Sequence, residues 1–216
     1  MSDLKFAFRQ LLKDPGFTAV AVLTLALGIG ANTAIFTVVN ALLLRSLPVR
    51  NPEELVQVIT RSGSSDANSF SYPFYKMLRD DGRSLSGLFA AGGVGERDQL
   101  IASGAGNAEI EFVHGQAVSG NFFSVLGVTA IVGRTLTPTD DKADDPKAVV
   151  VISHGFWERR FAADPAIIGR KVTFKDVPVT IVGVTPLGFF GFQPGDNPDL
   201  WWPLQMTPEI HRDPAG

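Results

Sequence analysis

From Phe17 to Leu44 the chain runs for 28 positions without a charged side chain. At about 1.5 Å per residue, a helix of that length reaches roughly 42 Å, whereas a bilayer's hydrocarbon core needs only about 30 Å. The pattern predicts a transmembrane helix over residues 17–44, tilted or projecting beyond the lipid. A cleaved secretory signal fits less well, because its apolar region is about 7–15 residues. The run also ends in Ala41-Leu42-Leu43-Leu44-Arg45, which offers no small-x-small cleavage site.

Ahead of the run, Leu4, Phe8, Leu11 and Leu12 recur at i, i+4, i+7 and i+8, which draws one apolar stripe on a helix. Lys5, Arg9 and Lys13 occupy the other faces, Ser2 or Asp3 can cap the start, and Pro15-Gly16 punctuates the end. Residues 1–16 are therefore expected to form an amphipathic helix lying on the membrane surface.

Beyond the span the periodicity changes. Leu55 to Thr60 is strand-like, and Ser71 to Asp80 reads as a capped helix with proline in its first turn. Further strands are expected at 99–102, 109–118, 148–152, 171–174 and 179–184, with helices at 120–126 and 154–161. This is an α+β pattern, one amino-terminal helix followed by a mixed domain over residues 45–216. The Gly-rich stretch from Ala90 to Gly95 places a sub-boundary near 90–98.

Composition narrows the function. The net charge of −3 gives no basic footprint for nucleic acid, and the absence of cysteine permits export without requiring it. No Gly-x-x-x-x-Gly-Lys-Ser/Thr occurs, so the chain lacks the loop that cradles nucleotide phosphates. Gly28-Ile29-Gly30 and Gly104-Ala105-Gly106 do not open the strand-to-helix turn of a dinucleotide site. His114, His154 and His211 lack metal-ligand spacing, and Asp140, Asp141, Asp144 and Asp145 read as a solvated acidic loop without the glycine and terminal glutamate of an EF-hand. Ser153-His154 are merely adjacent, with no third group to orient a base. The expectation is no enzyme, no cofactor and no metal.

Three bases precede the span, but Arg45, Arg50 and Arg61 follow it, so charge alone does not orient the helix. Within the span Ala26, Gly30 and Ala34, extended by Thr33, Thr37, Asn40 and Ala41, place small or polar side chains on one face. Lipid gives helices no hydrophobic reason to associate, so such a face is where a neighbouring helix docks. Asn32 lies elsewhere and has no role in that stripe.

The residues also carry a family likeness. Leu4 to Thr18, with Ala26-Leu27-Gly28-Ile29-Gly30-Ala31-Asn32-Thr33-Ala34-Ile35-Phe36 after it, resembles the start of MacB/FtsX-type ABC transporter permeases, particularly the large ADOP type. Ser119-Gly120-Asn121-Phe122-Phe123, Gly133-Arg134, Val150 to Trp157, Ile168-Gly169-Arg170 and Val179 to Val184 resemble the MacB-like periplasmic core domain. The resemblance implies an inner-membrane permease with a cytoplasmic amino terminus and a periplasmic domain built of a porter-like part and a β-rich Sabre-like part. It also implies pairing with a second permease copy and with a separate ABC ATPase. Relatives continue beyond the region of Asp199 to Leu204 with a closing segment and three further spans, so a missing carboxy-terminal part is expected. The alternative from another class is a single-pass anchored periplasmic binding or adaptor module. Cargo does not follow from fold.

Overall fold

The computed structural model describes residues 15–43, 47–62, 65–82, 84–95, 98–103 and 108–210. The chain divides into two compact units at residues 46 and 47.

In the first unit, α1 runs from Pro15 to Leu43, 29 residues without a charged group. Pro15 opens this helix, where its missing N–H is no loss and its fixed φ suits the first turn. The expected surface helix otherwise falls on residues 1–14, outside the described residues. The described side chains of α1, residues 15–37, are exposed almost all round, so among the described residues no core holds it. An apolar helix with no charged face is stable where lipid surrounds it.

The second unit is a curled sheet with helices against it. A short hairpin, β1 (Thr60–Ser62) and β2 (Ser65–Ala67), precedes α2 (Tyr72–Asp81). There follow β3 (Asp98–Ser103), β4 (Ala108–Val113), β5 (Gly115–Val118), the single turn α3 (Phe122–Val125), β6 (Val132–Gly133) and β7 (Val149–Ile152). Then come α4 (His154–Phe161), β8 (Lys171–Phe174), β9 (Val177–Val184), β10 (Leu200–Pro203) and α5 (Thr207–Ile210). The main sheet is ordered β4-β3-β8-β9-β7-β10-β5, with β6 beside β9. β7 and β9 are parallel, as are β5 and β10, while the other neighbours are antiparallel.

Local chemistry explains several elements. Lys175 and Asp176 take φ of 48° and 64°, the left-handed pair that a two-residue hairpin between β8 and β9 demands. Ser153 caps α4, its Oγ accepting the Phe156 N–H at 3.1 Å. Phe156, Trp157 and Phe161 turn inward along α4 while Glu158 and Arg159 stay exposed. Both faces of the central strands are covered. Val150, Ile152 and Trp202 join α4, Phe174 and Ile181 in one apolar cluster, whereas Val151 and Trp201 join Phe122, Phe123, Leu126 and Phe189 in the other. Strands buried on both sides read as continuous apolar runs instead of alternating ones.

The α+β class holds, with three local corrections. Residues 55–59 form no regular element, and pairing begins only at Thr60. The expected strand 109–118 is two strands broken at His114, whose N–H donates to Asp199 Oδ2 at 3.0 Å and whose carbonyl accepts the Asp199 N–H at 2.7 Å. The expected helix 120–126 is only the turn 122–125, because Gly120 and Asn121 are held by side-chain bonds described below.

Candidate functional site

Two regions carry the features singled out in the sequence. On α1, Ala26, Gly30 and Ala34 follow one another at four-residue spacing, which keeps them on one side of the helix. All three are exposed, and a Cβ built on Gly30 would meet nothing within 4 Å. The face is open. The hydroxyls of Thr24, Thr33 and Thr37 donate to the carbonyls of Val20, Ile29 and Thr33 at 2.8, 2.8 and 2.7 Å, so they present no unsatisfied group to lipid.

The second region is the joint where β5 ends. Ser119 N–H donates to the Ala90 carbonyl at 2.8 Å, and its Oγ accepts the Ala90 N–H at 3.0 Å while donating to Asn121 Oδ1 at 2.8 Å. Asn121 Nδ2 donates to the Leu88 carbonyl at 2.8 Å, and its Oδ1 also accepts the Tyr75 hydroxyl at 3.1 Å. Gly120 lies so close to the chain that a Cβ would overlap the Thr137 carbonyl and Pro138. Phe122 and Phe123 then enter the core, 5.0 Å apart and edge to face. The Ser-Gly-Asn-Phe-Phe block is thus a fastening that ties α2, the 88–90 segment and the 137–141 loop to the sheet.

Asp141 completes the fastening. It is only 8% exposed, and its carboxylate accepts the Gly120 N–H at 3.0 Å and the Gln205 N–H at 2.8 Å. Burial pushes its pKa above the ordinary carboxylate value, against the pull of those two amides. Asp140 goes the other way. Burial opposes its ionisation too, but the Arg134 guanidinium at 2.7 and 2.9 Å, with the Thr137 hydroxyl and amide, outweighs it and lowers the pKa. The solvated acidic loop expected at 140–145 is therefore corrected. Asp144 and Asp145 are exposed, but Asp140 and Asp141 are buried structural acceptors. Thr137 three residues before Asp140 was the signal, a side-chain-to-backbone turn pattern that the charge run concealed.

A cleft of about 290 Å³ lies against this joint, lined by Tyr72, Tyr75, Arg79, Asn121 and Asp141 among others. The Arg79 guanidinium bonds Asp80 and sits 5.6 Å over the Tyr75 ring. Tyr75, Arg79, Asn121 and Asp141 are each bonded within the domain, an arrangement suited to holding elements together. The histidines do not converge on it. His114 Nδ1 lies 3.2 Å from the Gly95 carbonyl, His154 Nδ1 lies 3.4 Å from Glu158 Oε2, and His211 falls outside the described residues. Among the described residues no group of three potential ligands is placed to hold a metal. Ser153 is a helix cap, with its hydroxyl directed at the backbone of α4.

The Gly-rich stretch lies beside β5. Gly92 and Gly95 donate to the Ala117 and Gly115 carbonyls at 2.8 and 3.0 Å, and Gln116 Nε2 returns a bond to the Gly92 carbonyl at 3.0 Å. On the far side of the sheet, Arg159 bridges Glu111 at 3.0 Å and Asp199 at 3.1 Å, linking α4 to β4 and to the residue before β10.

Comparison with known proteins bears on both regions. The model of the MacB-like periplasmic core domain matches residues 18–214. No curated protein sequence matches significantly. Among solved structures, the periplasmic region of MacB from Actinobacillus actinomycetemcomitans is 16% identical with a TM-score of 0.47, covering 66% of this chain and 59% of that one. The extracellular domain of the noncanonic ABC-type transporter YknZ from Gram-positive bacteria is 18% identical with a TM-score of 0.43, covering 65% of each. The chain thus spans less than two thirds of the length of either. Its family is settled by the match that runs through the joint at residues 119–123 and most of α1: the chain belongs to the MacB-like periplasmic core domain family.

Proposed function

We propose that this chain is the membrane-permease segment of an ABC transporter of the MacB/FtsX type, coupling a separate cytoplasmic ATPase to movement of a periplasmic domain, for export or mechanotransmission. The observation that carries the reading is the attachment of a charge-free 29-residue helix to a periplasmic core domain. In this reading the chain sits in a bacterial inner membrane with its amino terminus in the cytoplasm and the residues after 45 outside. Residues before about 90–98 form a porter-like part and those after it a β-rich Sabre-like part, on the resemblance alone. A second permease copy and the ATPase are its partners, and the small-residue face of Ala26, Gly30 and Ala34 receives a neighbouring transmembrane helix. The joint around Ser119 to Asn121 and Asp141 suits this role, since a domain that transmits movement has to shift as one body.

Topology fusions test it. Alkaline phosphatase joined after Gly216 is expected to be active and a fluorescent protein there dark; the reverse pattern would refute the orientation. The purified chain in detergent is expected not to bind ATP saturably, because it carries no phosphate loop.

A further inference from the structure

The polar side chains of α1 are not all alike. Thr24, Thr33 and Thr37 satisfy their hydroxyls on carbonyls one turn back. Asn32 is exposed, and among the described residues no hydrogen bond reaches its carboxamide. The difference is chemical. A helix carbonyl can accept a second hydrogen bond, but an intact helix has no free N–H in its middle to donate to the amide oxygen. Asn32 lies within about one turn of the midpoint of α1, where a bilayer offers neither donor nor acceptor. Polar groups at that depth face a partner.

Its direction on the helix is distinct. At about 100° per residue, Asn32 stands about 160° round from the middle of the Ala26, Gly30 and Ala34 stripe. Leu25, Gly28 and Phe36 share its side. A Cβ on Gly28 would meet nothing within 4 Å, so one turn before Asn32 the helix carries a notch into which another backbone fits closely.

We infer that Asn32 is the contact through which α1 meets α1 of a second copy, the two carboxamides exchanging N–H···O bonds across a two-fold axis. A carboxamide is its own complement, with a donor and an acceptor side by side. Two copies inserted in the same sense run parallel and bring Asn32 to equal depth, so the contact is isologous and closes at two. The opposite, small-residue face is then left for different helices. The inference rests on the reading of α1 as a membrane span, and it adds which face of that span the second copy occupies.

The full chain contains no cysteine, so single-cysteine variants in native membranes report the facing side directly. Oxidative crosslinking is expected to give disulfide dimers from Leu25→Cys and Phe36→Cys, and little from Ala26→Cys or Ala34→Cys. Adding Asn32→Leu to Leu25→Cys is expected to lower the dimer fraction about five- to tenfold, the size of two interhelical side-chain bonds in lipid. Asn32→Gln should restore most of it. Alkaline carbonate extraction of the same membranes separates the two readings. A chain released by carbonate removes the span and the pairing together. An inserted chain whose Leu25→Cys crosslink ignores Asn32→Leu, or that crosslinks chiefly through Ala26→Cys, overturns the pairing alone. So does an inserted chain that crosslinks through Leu25→Cys only to another protein.

Discussion

The helix α1 and the strands β7 and β10 are all apolar runs, and they end in opposite surroundings. Val149–Ile152 and Leu200–Pro203 are enclosed on both faces by side chains of their own unit. Phe17, Leu23, Leu27 and Phe36 on α1 are all more than 60% exposed. A strand leaves its backbone to be paired by neighbours, so an apolar strand has to be built into a sheet. A helix pairs its own backbone and can be left to lipid. The difference teaches that apolarity alone does not make a core. What decides is whether the backbone needs partners from elsewhere in the chain.

The comparison predicts that truncation and charge act oppositely in the two regions. Phe122, fully buried against Phe89 and Phe123, is expected to lose about 3–5 kcal/mol of domain stability as Phe122→Ala, because the aromatic cluster cannot close over the gap. Urea unfolding in detergent, followed by the fluorescence of Trp157, Trp201 and Trp202, reads this directly. Leu27→Arg should leave that unfolding curve in place and instead weaken membrane insertion by about 2.5–3.5 kcal/mol. A shift of the domain's unfolding midpoint by Leu27→Arg would break the distinction between the regions.

Glycine sharpens it at a smaller scale. Gly120→Ala is expected to cost about 1–3 kcal/mol, since the added methyl overlaps the backbone of Thr137 and Pro138, which cannot rotate away. Gly30→Leu fills open space, so insertion and domain unfolding should stay as in the parent chain. Its effect should appear only as weaker association with neighbouring helices, read as a loss of the larger complex on native gels. An unchanged complex would mean that the small-residue face meets lipid.

The smallest effect is confined to the domain and depends on pH. The lowered pKa of Asp140 means that the folded state binds fewer protons than the unfolded state just below the ordinary carboxylate value, near 4. Its contribution is therefore complete above that pH and is lost as pH falls through the lowered value. Asp140→Asn is expected to cost about 1–2 kcal/mol at neutral pH, a modest figure because Arg134 is half exposed. The cost should shrink toward pH 2. Asp141 has the opposite sign. Its raised pKa makes ionisation unfavourable in the folded state, so stability should fall slightly as pH rises through a window above the ordinary value. Chemical denaturation from pH 2 to 7 checks both, and a cost of Asp140→Asn that does not vary with pH would refute the first assignment.

Much of the layout was legible because it depends on local pattern. A charge-free run long enough to cross lipid, Pro15 at a helix start, Ser153 before an amphipathic helix and the alternation of Val179 and Ile181 each act within a few residues of sequence. The small face of α1 was legible for the same reason, since helical geometry fixes which residues share a side. Tertiary structure alone decided what distant segments supply. The Asp199 backbone and carboxylate break the strand at His114, Gln205 and Gly120 turn Asp141 from a surface charge into a buried acceptor, and Val151 and Trp201 are covered on a face that their apolar neighbours do not reveal. A sequence states what each residue offers its near neighbours. Burial and pairing between residues 21 to 85 positions apart come into being only when the sheet closes.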